Sequence, residues 1–306
     1  FVLSTGNFST TTISGLTTVT VSARRLTPQG TPPTYVAGSQ QALRPGLTVV
    51  VPVISSEANV GDIVDLVSPN PLVSGVTFDA NEFSQSVGFD PKTGGTSTIS
   101  LGTPTETNGH PIDFKIATTG QSLTATVTAP NITVFGPVVV GRDLQTQTSI
   151  TLAAAPPSAV DVTVTVANGN IATITRTGTV AGGTSVTFEH VTGTSVGSIF
   201  VQGLGLGGTS ITVHAAGYND GSTTVTVQPS GFILAQRTIA PTKYATNQTL
   251  NISSQRLDPT TKNALGNQPI RGGLSPITVS LTNSEASVGA LIDATRGDGT
   301  TSVVFN

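Results

Sequence analysis

Val160-Asp161-Val162-Thr163-Val164-Thr165-Val166 decides the fold class, because β-branched apolar residues alternate with polar ones at a period of two. Such a pattern turns one face of an extended chain toward a core and the other toward water. Upstream, Ser149-Ile150-Thr151-Leu152 runs into a turn at Ala155-Pro156-Pro157-Ser158. Downstream come Ile171 to Thr175, a Gly182-Gly183 turn, Val186-Thr187-Phe188, Ile199-Phe200-Val201, the Gly207-Gly208 turn, Ile211-Thr212-Val213 and Val225-Thr226-Val227. About seven short strands in about 100 residues, punctuated by Gly, Pro and Asn, is the spacing of an antiparallel sandwich. No window supports a helix, so the predicted class is all-β.

The run Gly207-Gly208-Thr209-Ser210-Ile211-Thr212-Val213, followed by Gly217-Tyr218-Asn219-Asp220-Gly221 and Val225-Thr226-Val227, resembles the end of the bacterial immunoglobulin-like repeats of large cell-surface proteins. Thr163 to Val166 and Asn170-Ile171-Ala172-Thr173-Ile174 resemble the middle of the same repeats. The resemblance implies a sandwich without the antibody disulfide, serving as stalk, spacer or adhesive module.

Phe1-Val2-Leu3 matches Phe232-Ile233-Leu234, and Thr18 to Pro28 matches Thr249 to Pro259. Ser56 to Gly61 likewise matches Ser284 to Gly289. With Phe135 read as the middle start, three units follow one another, as in beads on a string. The expected division is 1–133, 134–230 and 231–306, each an immunoglobulin-like sandwich. Ser302-Val303-Val304-Phe305 is the counterpart of Ser185-Val186-Thr187-Phe188, so the last unit is expected to be truncated by about three strands. A half sandwich exposes an apolar face and free edges, which strands from elsewhere are expected to complete.

The first and third units carry polar insertions at about 22–47 and 253–277, and the first carries a further one at about 104–120. The first two hold Arg24, Arg25, Arg44, Arg256, Lys262 and Arg271, six of the chain's 13 Lys and Arg residues, against one acid, Asp258. Connections of that length are functional or disordered. These six cations are therefore the candidate contact surface, the alternative being a solvated loop or decorative hairpin.

Charged residues make up only 9% of the chain and the net charge is -3, so no basic field draws it to nucleic acid. Cys is absent, which removes disulfides, thiolate metal sites and cysteine nucleophiles together. Met is absent too, so Phe1 is read as belonging to a processed chain or a piece of a longer one. No apolar run of membrane-spanning length and no signal peptide are visible, so any anchor or export signal is expected outside this stretch.

Several short motifs have plain readings. Gly193-Thr194-Ser195-Val196-Gly197 fits the pattern of hydrolase nucleophiles, and Gly203 to Gly208 fits that of dinucleotide sites. Both chemistries need a helix after the glycines, whereas strands follow here. His110, His190 and His214 fall at unrelated places in the repeats, with no spacing for zinc or a catalytic triad. Gly217 to Gly221 offers one acid, too few for calcium. Arg296-Gly297-Asp298 resembles an integrin-binding tripeptide and reads as a turn, while Asn7, Asn131, Asn247 and Asn251 begin glycosylation sequons.

The expectation is a structural or adhesive segment of an extracellular bacterial surface protein or filament, not an enzyme, with no metal or cofactor. Its expected partners are copies of itself or neighbouring modules, without nucleic acid and without membrane insertion. The alternative is a carbohydrate-binding or virion-decoration module whose loops hold a cell-surface glycan. The absence of Trp and the presence of only three Tyr weigh against it, because sugar platforms stack on rings.

Overall fold

A computed structural model describes residues 1–306 apart from 237, 275, 294–296 and 306. Among the described residues all regular elements are strands, and no helix is long and apolar enough to cross a membrane. The chain folds as two compact units: Phe1–Pro130 with Pro156–Ser158 and Gly217–Asn219, and the remainder from Asn131 onward.

The first unit contains β1 Val2–Leu3, β2 Phe8–Thr11, β3 Thr17–Ser22, β4 Arg24–Gln29, β5 Thr34–Gln40, β6 Val49–Ser55, β7 Gly61–Val64, β8 Gly75–Phe78, β9 Ser84–Pro91, β10 Gly95–Leu101, β11 Thr105–Glu106 and β12 Ser122–Thr128. One sheet has the order β1-β3-β9-β7 and the other β11-β6-β10-β12-β2, with β8 also on β6. The two short leading strands split between the sheets: β1 pairs antiparallel with β3, and β2 pairs parallel with β12. Alternate residues of β6, Val49, Val51 and Val53, are buried, as a two-faced strand requires. They meet Val19, Val21 and Phe89 of the facing sheet in one core.

The insertions of this unit are not merely solvated. Residues 24–40 form the β4–β5 hairpin, and the chain then buries Leu43 and Leu47 in the core. The stretch 104–120 pairs β11 with β6, buries Ala117, and places Phe114 4.9 Å from Phe1, whose ring lies 4.9 Å from that of Phe78.

The second unit begins with β13 Ile132–Val134, β14 Val138–Gly141, β15 Gln145–Leu152, β16 Val160–Val166, β17 Ala172–Thr175, β18 Ser185–Val191, β19 Ser195–Gly203, β20 Gly207–Ala215 and β21 Gly221–Gln228. Its sheets, β13-β15-β19-β17 and β14-β21-β20-β16-β18, repeat those of the first sandwich without its insertion strands β4, β5 and β11, down to the parallel pair β14–β21. This sandwich takes its first strand from Ile132, earlier than the start at 134 or 135 expected from the sequence. Val134 opposite Ile150 stands where Leu3 stands opposite Val21, and Phe135 is exposed. The buried alternation of Ile132 and Val134 sets the register, and Phe135 follows the strand instead of opening it.

The unit continues with β22 Ser230–Leu234, β23 Ile252–Leu257, β24 Ala264–Asn267, β25 Ile277–Ser280 and β26 Ser302–Phe305. These form a three-stranded sheet, β22-β23-β24, and the pair β25–β26. Leu234 opposite Ile252 repeats the pairing of Leu3 with Val21. Phe305 opposite Ile277 repeats Phe188 opposite Val162 and Phe78 opposite Val49. The architecture is all-β, built of immunoglobulin-like sandwich strand sets in series, the last with the fewest strands among the described residues.

Candidate contact surfaces

Three of the six candidate cations lie in the first unit. Arg24, on β4, is half-buried; its terminal nitrogen donates to the Gly38 carbonyl at 3.0 Å, while its Nε is buried and unpaired among the described groups. Arg25 and Arg44 are exposed. Both guanidinium groups are open to solvent, as is much of the insertion around them.

The other three lie in the second unit, and two of them turn inward. Arg256 on β23 donates to Gln228 Oε1, at the end of β21, at 2.8 Å. Arg271 sits with its Nε 3.3 Å from Asp143 Oδ1; its own side chain is only 16% exposed, while that of Asp143 is 45% exposed, so the pair meets water on its carboxylate side. Lys262 is exposed, and its Nζ reaches the Pro259 carbonyl across the β23–β24 turn. That turn is organised by Asp258, whose carboxylate accepts the Thr260 and Thr261 backbone N–H groups. Those hydrogen bonds, Thr261's first, hold its pKa below the ordinary carboxylate value.

Sequence reasoning missed the most buried polar cluster of the middle sandwich. Gln145 is 4% exposed and Gln202 fully buried. Gln202 Nε2 donates to Gln145 Oε1 at 3.1 Å and to the Val180 carbonyl at 2.8 Å, while Gln202 Oε1 accepts the Gly182 N–H at 2.8 Å. Gln145 Nε2 in turn donates to the Gly178 carbonyl at 2.7 Å. The loop 178–182 is thereby tied to two central strands, and buried amide groups avoid the cost of going unpaired.

The remaining motifs fall at ordinary places. Ser195 opens β19, and Gly203 to Gly208 run from the last residue of β19 through a short turn into the start of β20, a strand where a dinucleotide site needs a helix. His110 is exposed; the His190 N–H donates to Asp161; and His214 Nδ1 lies 2.7 Å from Asp220 Oδ1 on the surface. Asn7, Asn131, Asn247 and Asn251 are all exposed. Of the tripeptide Arg296-Gly297-Asp298, Arg296 lies outside the described residues; Gly297 and Asp298 are exposed.

No protein-family model matches the chain, and no curated protein matches it by sequence. Among solved structures it is similar to the type II cohesin dyad from the adaptor ScaA scaffoldin of Acetivibrio cellulolyticus, at 9% identity over 74% of this chain and 96% of that one, with a TM-score of 0.25. It is also similar to a marsupial T cell receptor, at 13% identity over 98% of this chain and 90% of that one, with a TM-score of 0.23. The fold assignment stands on the strand pairing described above, not on these likenesses.

Proposed function

We propose that the chain is a tandem segment of a large secreted or cell-surface bacterial protein, built from modules of the bacterial immunoglobulin-like repeat family. In this reading the division is threefold, with modules at about 1–130, 131–229 and from 230 onward. It works as a stalk or polymer building block through module-to-module and subunit-to-subunit surfaces, and no reacting group takes part. The observation that carries the reading is the recurrence of one pairing register, Leu3 with Val21, Val134 with Ile150 and Leu234 with Ile252, along one chain. Serial repetition of one stable unit lengthens a protein without a larger core, which is what a stalk needs.

The exposed cations Arg25, Arg44 and Lys262 are the groups left to meet a partner. Sedimentation and electron microscopy of the purified chain across a concentration series test the reading. Elongated particles that associate into fibres or a lattice support the polymer form, an elongated monomer at the highest concentration leaves only the stalk, and a compact sphere overturns both.

A further inference from the structure

The segment 268–273 lies along the rim of the middle sandwich as an added piece of extended chain. Gln268 grips β14 with both ends of its amide: its Oε1 accepts the Gly141 N–H at 2.8 Å, and its Nε2 donates to the Val139 carbonyl at 2.9 Å. The Gln145 N–H then donates to the Pro269 carbonyl at 2.9 Å, and the Arg271 N–H to the Asp143 carbonyl at 3.0 Å. Ile270 forms an antiparallel bridge with the buried Leu144 between them. Main-chain bonds of this kind supply affinity, and side chains at fixed intervals supply selectivity.

The far end of the segment reaches the buried glutamines. The Gly272 N–H donates to Gln145 Oε1 at 3.2 Å, the same oxygen that accepts from Gln202. Gly272 leaves no room for a side chain, since a Cβ there would stand 2.5 Å from the Thr179 carbonyl carbon and 2.5 Å from the Val180 nitrogen. Gly273 has φ +78 and would bring a Cβ to 2.5 Å from the Ala181 side chain. Two consecutive glycines are thus required by the close approach of two backbones.

We propose that the rim formed by 139–145 and 178–182 is a peptide-recognition site for an extended Gln-Pro-x-Arg-Gly-Gly segment. Its occupant is the chain's own residues 268–273, which latch the strands from β22 onward to the middle sandwich. Gln268 reads the β14 edge, Arg271 reads Asp143, and the two glycines admit the backbone to loop 178–182. The latch does not depend on the stalk reading, and it would stiffen this part of the chain in any setting.

Amide hydrogen exchange on the full chain tests it, comparing the native protein with Gly272→Val and Gln268→Ala. Each released hydrogen bond is worth about 1 kcal/mol, so protection of the Gly141 and Gln145 amides should fall by about tenfold in Gly272→Val, and that of Gly141 by about fivefold in Gln268→Ala. Protection of Val213, in the middle of β20, should not change. A synthetic peptide spanning Asn267 to Leu274, in excess, should restore protection at Gly141 and Gln145 in Gly272→Val while leaving the native chain, whose site is filled, unaltered. Unchanged protection in both variants, loss that spreads to Val213 in both, or failure of the peptide to restore it would each overturn the latch.

Discussion

The middle sandwich and the stretch after it share their pairing but not their burial. Phe188 faces Val162, and Phe305 faces Ile277, at the same register. Yet Phe188 is 6% exposed, whereas Phe305 is half-buried, with its ring 4.7 Å from that of Phe232. A second pair tells the same story: the Val60 and Val288 N–H groups close identical turns on Glu57 and Glu285, but Val60 is 9% exposed and Val288 86%. Register is therefore set locally by alternation and turns, while burial needs a facing layer. Among the described residues the last stretch has no counterpart to β19, β20 and β21.

The largest expected effect follows from that difference. Phe188→Ala should destabilise the middle sandwich by about 3 to 5 kcal/mol in denaturant titration, through lost burial and a cavity. Phe305→Ala, at a half-buried position, should cost about 1 kcal/mol of the stability of its own strands. Equal effects would break the comparison by showing that the last stretch packs as tightly as the complete one.

Removing the buried amide comes next. Gln202→Ala strands the Val180 carbonyl and the Gly182 N–H, and should cost about 2 to 3 kcal/mol by the same titration. A change under about 0.5 kcal/mol would mean that water enters and replaces those bonds.

The smallest effect concerns pH. Asp258 is held below its ordinary value of 3.8 by backbone hydrogen bonds, so the order it brings to the β23–β24 turn is present above that value. The contribution is lost as pH falls through the lower folded value. Exchange of the Thr260 and Thr261 amides, corrected for intrinsic rate, should quicken in that acidic window, and Asp258→Asn should abolish the pH dependence.

Much of the fold was legible because its signals are local. Val160 to Val166 announced a two-faced strand, and the match of Ser302-Val303-Val304-Phe305 with Ser185-Val186-Thr187-Phe188 was realised as one pairing, Phe305 opposite Ile277 and Phe188 opposite Val162. The start of the middle sandwich was not legible, since a three-residue strand carries less pattern than a shared Phe. Leu43 and Leu47 also escaped notice, because single apolar residues inside a polar insertion show no period. The glutamine cluster and the latch were hidden for another reason. Gln145 and Gln268 look like any surface amide in a Thr-rich chain; the cluster partners Gln202 and Gly178 lie on other strands and loops, and the latch joins Gln145 to Pro269 and Gly272, and Gln268 to Gly141, more than a hundred residues apart. Of the six candidate cations, the sequence singled out a group; the structure divides it into Arg256 and Arg271, bonded to the middle sandwich, Arg24, folded onto its own hairpin, and three exposed charges.

The account depends above all on one register recurring along the chain, and cross-strand disulfide trapping tests that directly because the chain has no cysteine of its own. Cysteines placed in pairs at Val50 and Thr77, at Thr163 and Thr187, and at Thr278 and Val304 stand directly opposite one another in the three strand sets. Each pair should oxidise to an intramolecular disulfide, since directly opposed positions bring the two Cβ atoms within reach. Pairs shifted by one residue, such as Thr278 with Val303, point to opposite faces and should stay reduced. Efficient closure of the shifted pair, or none at Thr278 and Val304, would contradict the shared register.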